Sequence, residues 1–309
     1  MDAITINFSG GIDPKRLIEL FLSGRKATTL RAYGQDLADF AAFVQADGIE
    51  DAARLLLTKT APEANALAFE YLNQMLARNL SPKTINRRLS SLRSLVQLGR
   101  TLGLVNWQLE VRNLKARAYR DTRGPGKKGV KRMLDYLAGQ STPKSYRDAA
   151  IIHLLFDRGL RRGEVAGLDL SDVDAARCRI RVVGKGEHEA QWLTIPRLTL
   201  EAIARWLVFR GLEPGPLFYS LSNIMPQGRL SDHGIYKWVV VKTARRSGLG
   251  HVRPHGLRHA GITHALDKTS GNLRAVAQFA RHKRVDTTMI YDDNRLDVGG
   301  QIADLIAGD

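Results

Sequence analysis

Apolar residues recur along the first hundred positions in steps of three and four, the signature of helices with one buried face. Leu30, Tyr33, Leu37, Phe40 and Val44 form such a stripe, which predicts a helix over 28–46 with Thr28 as N-cap and Gly48 as its stop. Leu67, Tyr71, Leu72, Met75 and Leu76 predict a second, from Pro62 to about Arg78. A third starts at Ser81-Pro82, buries Ile85, Leu89, Leu92 and Val96, and ends before Gly103. About two dozen residues precede the first of these helices. The pattern breaks over 111–128, where Gly124, Pro125, Gly126 and Gly129 interrupt any helix.

Helical spacing returns at 145–160, with Ala149, Ile152, Leu155 and Phe156 facing inward. CRIRVV and AQWLTIP then read as two strands, joined by the Gly-rich GKGEHE as a hairpin. Residues 198–209 and 231–247 read as helices, Trp206 as core, and Ile235, Trp238, Val239 and Val241 as an apolar face. Together these patterns predict a mainly α chain with a small antiparallel β-sheet in its C-terminal domain, an α+β arrangement. The domains fall at 1–112, a basic linker at 113–128, and 129–309.

Charge changes this picture. Forty-seven Lys and Arg against 31 Asp and Glu give the 309-residue chain a net +16, and such a surplus favours a polyanionic partner, nucleic acid by default. Half of the excess lies in 111–132, with nine Lys/Arg and one Asp. That stretch can be a self-repelling solvated hinge, a segment crossing DNA phosphates, or both in turn. Arg87, Arg88, Arg93 and Arg100 lie off the apolar stripe of the third helix and, with Lys83, make a candidate phosphate-tracking surface. No apolar run is long enough to span a membrane, and the N-terminus lacks the pattern of a secretory signal. A single cysteine, Cys178, excludes an internal disulfide framework, fits a reducing cytoplasm, and reads as strand packing. No Cys/His cluster has zinc spacing, so neither a metal nor another cofactor is expected.

The C-terminal stretch PHGLRHAGITHALDKTSGNLRAVAQFARHKRVDTTMIY concentrates the chemistry. His255 and Arg258 share a helix face, His282 follows a second helical run, and Tyr291 comes nine residues later. A phenol, two imidazoles and a guanidinium in a basic protein suit a tyrosine attacking a phosphodiester. That reaction requires loss of the phenol proton, stabilisation of charge on the non-bridging oxygens, a proton for the leaving 5′ oxygen, and in-line geometry. Side-chain cations must supply the electrostatics, and the planar fork of arginine suits two phosphate oxygens.

The order His-x-x-Arg, His, Tyr resembles the tyrosine recombinase (phage integrase) family. GLRRGEVAGL is similar to the family's first arginine box. The resemblance implies that Arg161, with Arg162 beside it, is a catalytic arginine and that Glu164 orients the site. It implies that Lys185, at the hairpin tip between Gly184 and Gly186, is the general acid toward the 5′ oxygen. His255 then relays the tyrosine proton or hydrogen-bonds the phosphate, Arg258 grips the phosphate, His282 is a second donor to it, and Tyr291 is the nucleophile of a 3′-phosphotyrosyl link. The family has Leu-Gly-His where this chain has Ala280-Arg281-His282, a large cation in place of a small residue. His153, His188, His233, His251, His259 and His264 have no such placement and read as structural or surface.

The N-terminal layout TTLRAY…DLADF followed by SPKTINRRLSSLRSL resembles the family's helical core-DNA-binding domain. Lys83, Arg87, Arg88 and Arg93 are then its DNA contacts, and Lys115, Arg117, Arg120, Arg123, Lys127 and Lys128 those of the linker. The resemblance implies a simple two-domain recombinase without an arm-binding module. Its partner is a double-stranded DNA recombination site, and it assembles as a homotetramer in the synaptic complex from a free monomer, in the cytoplasm with the nucleoid. Ile302, Leu305 and Ile306 in the tail after Tyr291 face one way, either to dock on a neighbouring protomer or to pack in cis. Two other readings stand: a type IB topoisomerase, which shares the site chemistry, and a catalytically dead DNA-binding architectural protein.

Overall fold

The computed structural model describes residues 13–23, 27–115, 124–184, 189–221, 228–282, 284–292 and 306–308. Lys185, Arg117, Arg120, Arg123, Ile302 and Leu305 therefore lie outside the described residues. The chain divides into two compact units, Met1–Ala118 and Tyr119–Asp309. The expected fold class is borne out: helices dominate, and one three-stranded antiparallel sheet lies in the second unit.

The first unit is helical: α1 (Pro14–Leu22), α2 (Ala27–Phe43), α3 (Ile49–Leu57), α4 (Ala61–Ala77) and α5 (Pro82–Thr101). Three of the N-termini show local chemistry. The Asp13 carboxylate accepts from the N–H of Lys15, the Glu63 carboxylate accepts the N–H of Thr60 at 2.8 Å, and Ser81 Oγ accepts the N–H of Thr84. The expected stripe of α5 is buried: Ile85, Leu89, Leu92 and Val96 meet Leu37 and Phe40 of α2 and Tyr71 of α4 in one core.

Two expectations for this unit are corrected. Helices α1 and α3 are additional to those expected, because nine residues each is too short for a 3.6-residue period to stand out. Thr28 lies inside α2, and Gly48 precedes α3 rather than stopping α2. The arginines of α5, expected as DNA contacts, have partners within the unit. Arg87 Nη1 donates to Asp36 at 2.7 Å, and Arg88 Nη1 to Asp39 at 2.5 Å, with the Arg88 side chain only 14% exposed. Asp39 also accepts from Tyr71 Oη and Arg78. Arg93 is taken up by Asn113 and the carbonyl of Val111. Buried carboxylates need such partners, so two aspartates on α2 claim cations that sequence spacing alone leaves facing water. Lys83 and Lys115 remain exposed.

The second unit begins with α6 (Gly126–Ala138) and α7 (Pro143–Phe156), followed by the short α8 (Arg162–Gly167). The glycine-rich stretch is expected to break any helix. Instead α6 starts at Gly126, carries Lys127 and Lys128 exposed in its first turn, and buries Gly129. There a Cβ would come within 2.5 Å of Pro125 Cβ, so close packing selects the glycine. Strands β1 (Val173–Asp174), β2 (Arg179–Val183) and β3 (Ala190–Thr194) pair antiparallel in that order, with Ile180 opposite Leu193. The two expected strands form, and β1 is additional. Cys178 is not in a strand: it sits half-buried in the turn before β2 with φ 47°.

Helix α9 (Arg197–Arg210) buries Trp206, whose Nε1 donates to the carbonyl of Leu217 at 2.8 Å. A helical run follows as α10 (Asp232–Gly234), a π-helical segment (Ile235–Val241) and α11 (Lys242–Arg246). Trp238, expected on its apolar face, is instead 49% exposed, with Lys237 and Lys242 over its ring. The wider π-helical winding carries position 238 outward while Ile235, Val239 and Val240 face the core. The chain then forms α12 (Pro254–Lys268), α13 (Leu273–Ala280) and α14 (Asp286–Asp292). Helices α7 and α12 nearly touch: a Cβ on Gly261 would lie 2.2 Å from the carbonyl oxygen of Phe156. That contact fixes α12, which carries His255 and Arg258, against the corner that follows α7.

Candidate functional site

The chain turns sharply after α7. Gly159 adopts φ +61°, a conformation that favours glycine, and its carbonyl accepts a hydrogen bond from Arg258 Nη1. Two residues on, Arg161 is the extended residue that opens α8, and the Glu164 carboxylate binds it twice. Oε2 accepts the Arg161 backbone N–H at 2.7 Å, and Oε1 accepts Nη1 at 2.9 Å. The Glu164 side chain is only 4% exposed. Burial raises its pKa, but the Arg161 N–H and the charge of Arg281 outweigh that and hold the carboxyl below its usual range.

From α12 come His255, exposed, and Arg258, 3% exposed. Arg258 Nη2 donates to the carbonyl of Ala280 at 2.5 Å and stands 3.2 Å from His282 Nε2. Burial, reinforced by the neighbouring charge of Arg161, pushes Arg258 down to about 10, so it remains a cation at neutral pH. Arg161, Arg258 and His255 share the lining of one cleft of about 390 Å³ with Arg162, Tyr236 and Arg253.

Helix α13 supplies the third part. Its last carbonyls are collected by guanidinia from elsewhere: Phe279 by Arg158 at 2.8 Å, Ala280 by Arg258, and Arg281 by Arg161 Nη2 at 3.4 Å. A helix C-terminus is the negative end of its dipole, so these cations both cap it and are positioned by it. Arg281 is left-handed (φ 53°), and the chain thereby turns His282 back so that its N–H bonds the carbonyl of Ala277. His282 Nδ1 lies 2.8 Å from Thr288 Oγ1 of α14. Burial, then the charges of Arg258, Arg161 and His255, push His282 down to about 4.

Tyr291 closes the group from α14. It is 6% exposed, its ring 5.6 Å from that of His282 and 4.5 Å from that of His259. Burial raises the phenol's pKa, while the charges of Arg258 and Arg161 pull it down. The structure thus brings Arg161, Glu164, Arg258, His282 and Tyr291 together, with His255 on the cleft wall. Lys185 lies outside the described residues. Lys83 and Lys115 lie on the surface of the first unit, and Lys127 and Lys128 on that of the second.

Sequence reasoning gives no role in the site to four participants: Arg158, His259, Arg281, which it marks only as a large cation beside His282, and Thr288. His259 reads from the sequence as structural or surface; it is buried and packs on the Tyr291 ring. Its position four residues after His255, adjoining Arg258, is the available signal. Nothing in the local sequence around Arg158 or Arg281 announces their partners, which lie 121 and 117 residues away. Such an arrangement offers an anion two forked cations and an exposed imidazole, with a phenol behind them.

Comparison with known proteins bears on what that anion is. Residues 126–296 match the model described as the phage integrase family, and residues 18–99 match the phage integrase N-terminal SAM-like domain. A tyrosine recombinase of Synechocystis sp. is 37% identical over 308 residues, covering 97% of each chain. Another, of Synechococcus elongatus, is 34% identical over 316 residues, covering 99% of this chain and 98% of its own. Among solved structures, that of the XerH site-specific recombinase bound to a palindromic difH substrate shares the fold, with a TM-score of 0.68 at 18% identity over 94% of this chain and 84% of that one.

Proposed function

The chain belongs to the phage integrase family, the tyrosine recombinases, and is a DNA strand-transferring enzyme; on that premise we propose how its side chains divide the reaction. The observation that carries the division is the convergence of Arg258, Arg161 and His282 around Tyr291. A DNA phosphate enters the cleft and takes the guanidinium forks of Arg161 and Arg258 on its non-bridging oxygens. Tyr291 Oη attacks the phosphorus, the bond to the 5′ oxygen breaks, and a 3′-phosphotyrosyl link forms. The phenol proton passes to His255 or to solvent. Lys185, which falls between β2 and β3 in the sequence, gives the leaving 5′ oxygen its proton. A second 5′ hydroxyl then reverses the step on the other duplex, so neither ATP nor metal enters the balance.

Tyr291 is buried in the free protein, so α14 must present the phenol to the cleft before attack. His282 is now tied to Arg258 and Thr288 and exchanges the first of these partners for a phosphate oxygen. Lys83, Arg87, Lys115, Arg117, Arg120, Arg123, Lys127 and Lys128 bind backbone phosphates along the duplex. The enzyme acts on two duplexes as a homotetramer assembled from monomers, with the tail after Tyr291 docking on a neighbouring protomer. It works in the cytoplasm, on the nucleoid or a mobile element. Relaxation of a single duplex by a type IB topoisomerase is the second reading; the match at 18–99 to the integrase N-terminal domain favours recombination.

The test traps the intermediate. Wild type and Tyr291→Phe are incubated, without metal or ATP, with a duplex that the protein itself selects from a random-sequence library. Detergent quenching is expected to reveal protein attached to a 3′ DNA end in the wild type only. An equal adduct from the Phe variant would remove Tyr291 as nucleophile. Products joining two duplexes separate recombination from relaxation.

A further inference from the structure

Arg281 occupies the left-handed position that ends α13 (φ 53°), where a side chain other than glycine is strained. The resembled motif has glycine there. This chain accepts that strain and also buries the guanidinium: the Arg281 side chain is 11% exposed, and its Nη2 lies 2.5 Å from Glu164 Oε2. Its Nε is buried without a hydrogen-bond partner among the described residues. Solvent is therefore not the destination of this side chain. Its destination is the carboxylate that also holds Arg161.

The charges explain what that sharing does. Glu164 and Arg161 alone form a closed pair with no net charge, in which the carboxylate competes with an incoming phosphate for the Arg161 fork. Arg281 engages Oε2 and leaves Arg161 Nη1 on Oε1. The trio then carries a net +1, and together with Arg258 these four groups carry +2. Guanidinia held this close repel one another: burial is the main cause that lowers the pKa of Arg158 and of Arg258, and neighbouring arginine charges, Arg281 among them, add to it. An anion bound in the cleft offsets that repulsion.

The geometry points to Arg281 as a positioning residue that neutralises Glu164 and so leaves the full charge of Arg161 available to the scissile phosphate. Arg281 does not touch the substrate; it acts through Glu164. The inference rests on the proposed roles of Arg161 and Tyr291.

The experiment measures single-turnover cleavage at saturating protein on the self-selected duplex, together with DNA affinity and melting temperature. Arg281→Gly relieves the backbone strain and Glu164 keeps Arg161 as a partner, so the protein still folds. Its cleavage step slows roughly tenfold, the scale of one charge removed from a partly buried site, with affinity unchanged. Arg281→Lys keeps the charge and recovers most of the rate. The decisive variant is Arg281→Gly combined with Glu164→Gln, which restores the net +2 without restoring Arg281; it is expected to cleave faster than Arg281→Gly alone. Wild-type speed in Arg281→Gly, or no gain in the double variant, overturns the inference while the proposed function stands. A fall in melting temperature without rescue also overturns it, in favour of a packing role. Absence of any adduct from the wild type defeats the proposed function, and this inference with it.

Discussion

Arg258 Nη2 faces His282 Nε2 at 3.2 Å, and a guanidinium can only donate. His282 must therefore accept through Nε2, carry its proton on Nδ1, and donate that proton to Thr288 Oγ1 at 2.8 Å. The imidazole is held neutral by geometry as well as by burial. Protonating it would place a second cation against Arg258 and break the hydrogen bond between them.

Acid stability follows from that pair. His282 sits at about 4 in the folded chain against 6.5 as its ordinary value. Between those limits the unfolded state binds more protons, so the stability this group contributes is complete above 6.5 and is lost as pH falls toward 4. Melting temperature followed from pH 7 to pH 4 should fall less steeply in His282→Asn than in the wild type. Parallel curves would show that His282 does not titrate in this window.

The two arginines should fail differently. Arg161 is partly open to solvent, and Arg161→Ala should leave melting nearly unchanged while raising the cleavage barrier by about 3 kcal/mol. Arg258 also satisfies the carbonyls of Gly159 and Ala280. Arg258→Ala should therefore lose cleavage and, in addition, about 1–3 kcal/mol of stability for buried acceptors left without donors. Denaturant unfolding alongside adduct formation separates the two.

Gly261→Ala tests the seat of α12. The added methyl would meet the Phe156 carbonyl at 2.2 Å, which is backbone and cannot rotate away. Overpacking of this kind costs about 1–3 kcal/mol. Because Arg258 rides on the same helix, cleavage should fall with stability. A variant that melts normally would mean that α7 and α12 separate more easily than their spacing implies.

In the first unit the prediction concerns stability. Asp39 holds Arg78, Arg88 and Tyr71, and Arg88 is nearly buried. Asp39→Ala leaves that cation without its closest partner and should cost about 3 kcal/mol. Chemical unfolding followed by a probe in residues 27–115 should show it, while the melting of the catalytic unit stays in place.

Binding to the selected duplex should weaken steeply with salt. Removing Lys127 and Lys128 together should reduce the log–log slope by about two, one for each phosphate that these lysines neutralise. An unchanged slope would place both side chains off the DNA.

Much of this is readable in the sequence. The α5 stripe of Ile85, Leu89, Leu92 and Val96 is buried as spaced, because a long helix repeats its period several times. The alternation of residues 179–183, with the Gly-rich GKGEHE after it, reveals the hairpin, because strands need only a period of two. The spacing of His255 and Arg258 puts both on the cleft. Pairing at a distance is what local patterns do not carry. Asp36 and Asp39 claim Arg87 and Arg88 some fifty residues away, so cations that look free are not. Trp238 leaves its stripe because the winding of its helix changes, and no composition marks that change. The bond between Arg281 and Glu164 spans 117 positions and has no local signature.

The carbonyls at the end of α13 have one more consequence, for the order in which this chain becomes dangerous to DNA. Arg161 reaches its acceptor across 120 positions and Arg258 across 22, and both acceptors lie at the end of one short helix, α13. A ribosome releases the first arginine long before that helix exists. Until Phe279, Ala280 and Arg281 are in place, the guanidinia have no template and the phenol has not been made. Strand-breaking chemistry thus becomes available only once α13 and α14 have been made and the earlier arginines have folded onto them.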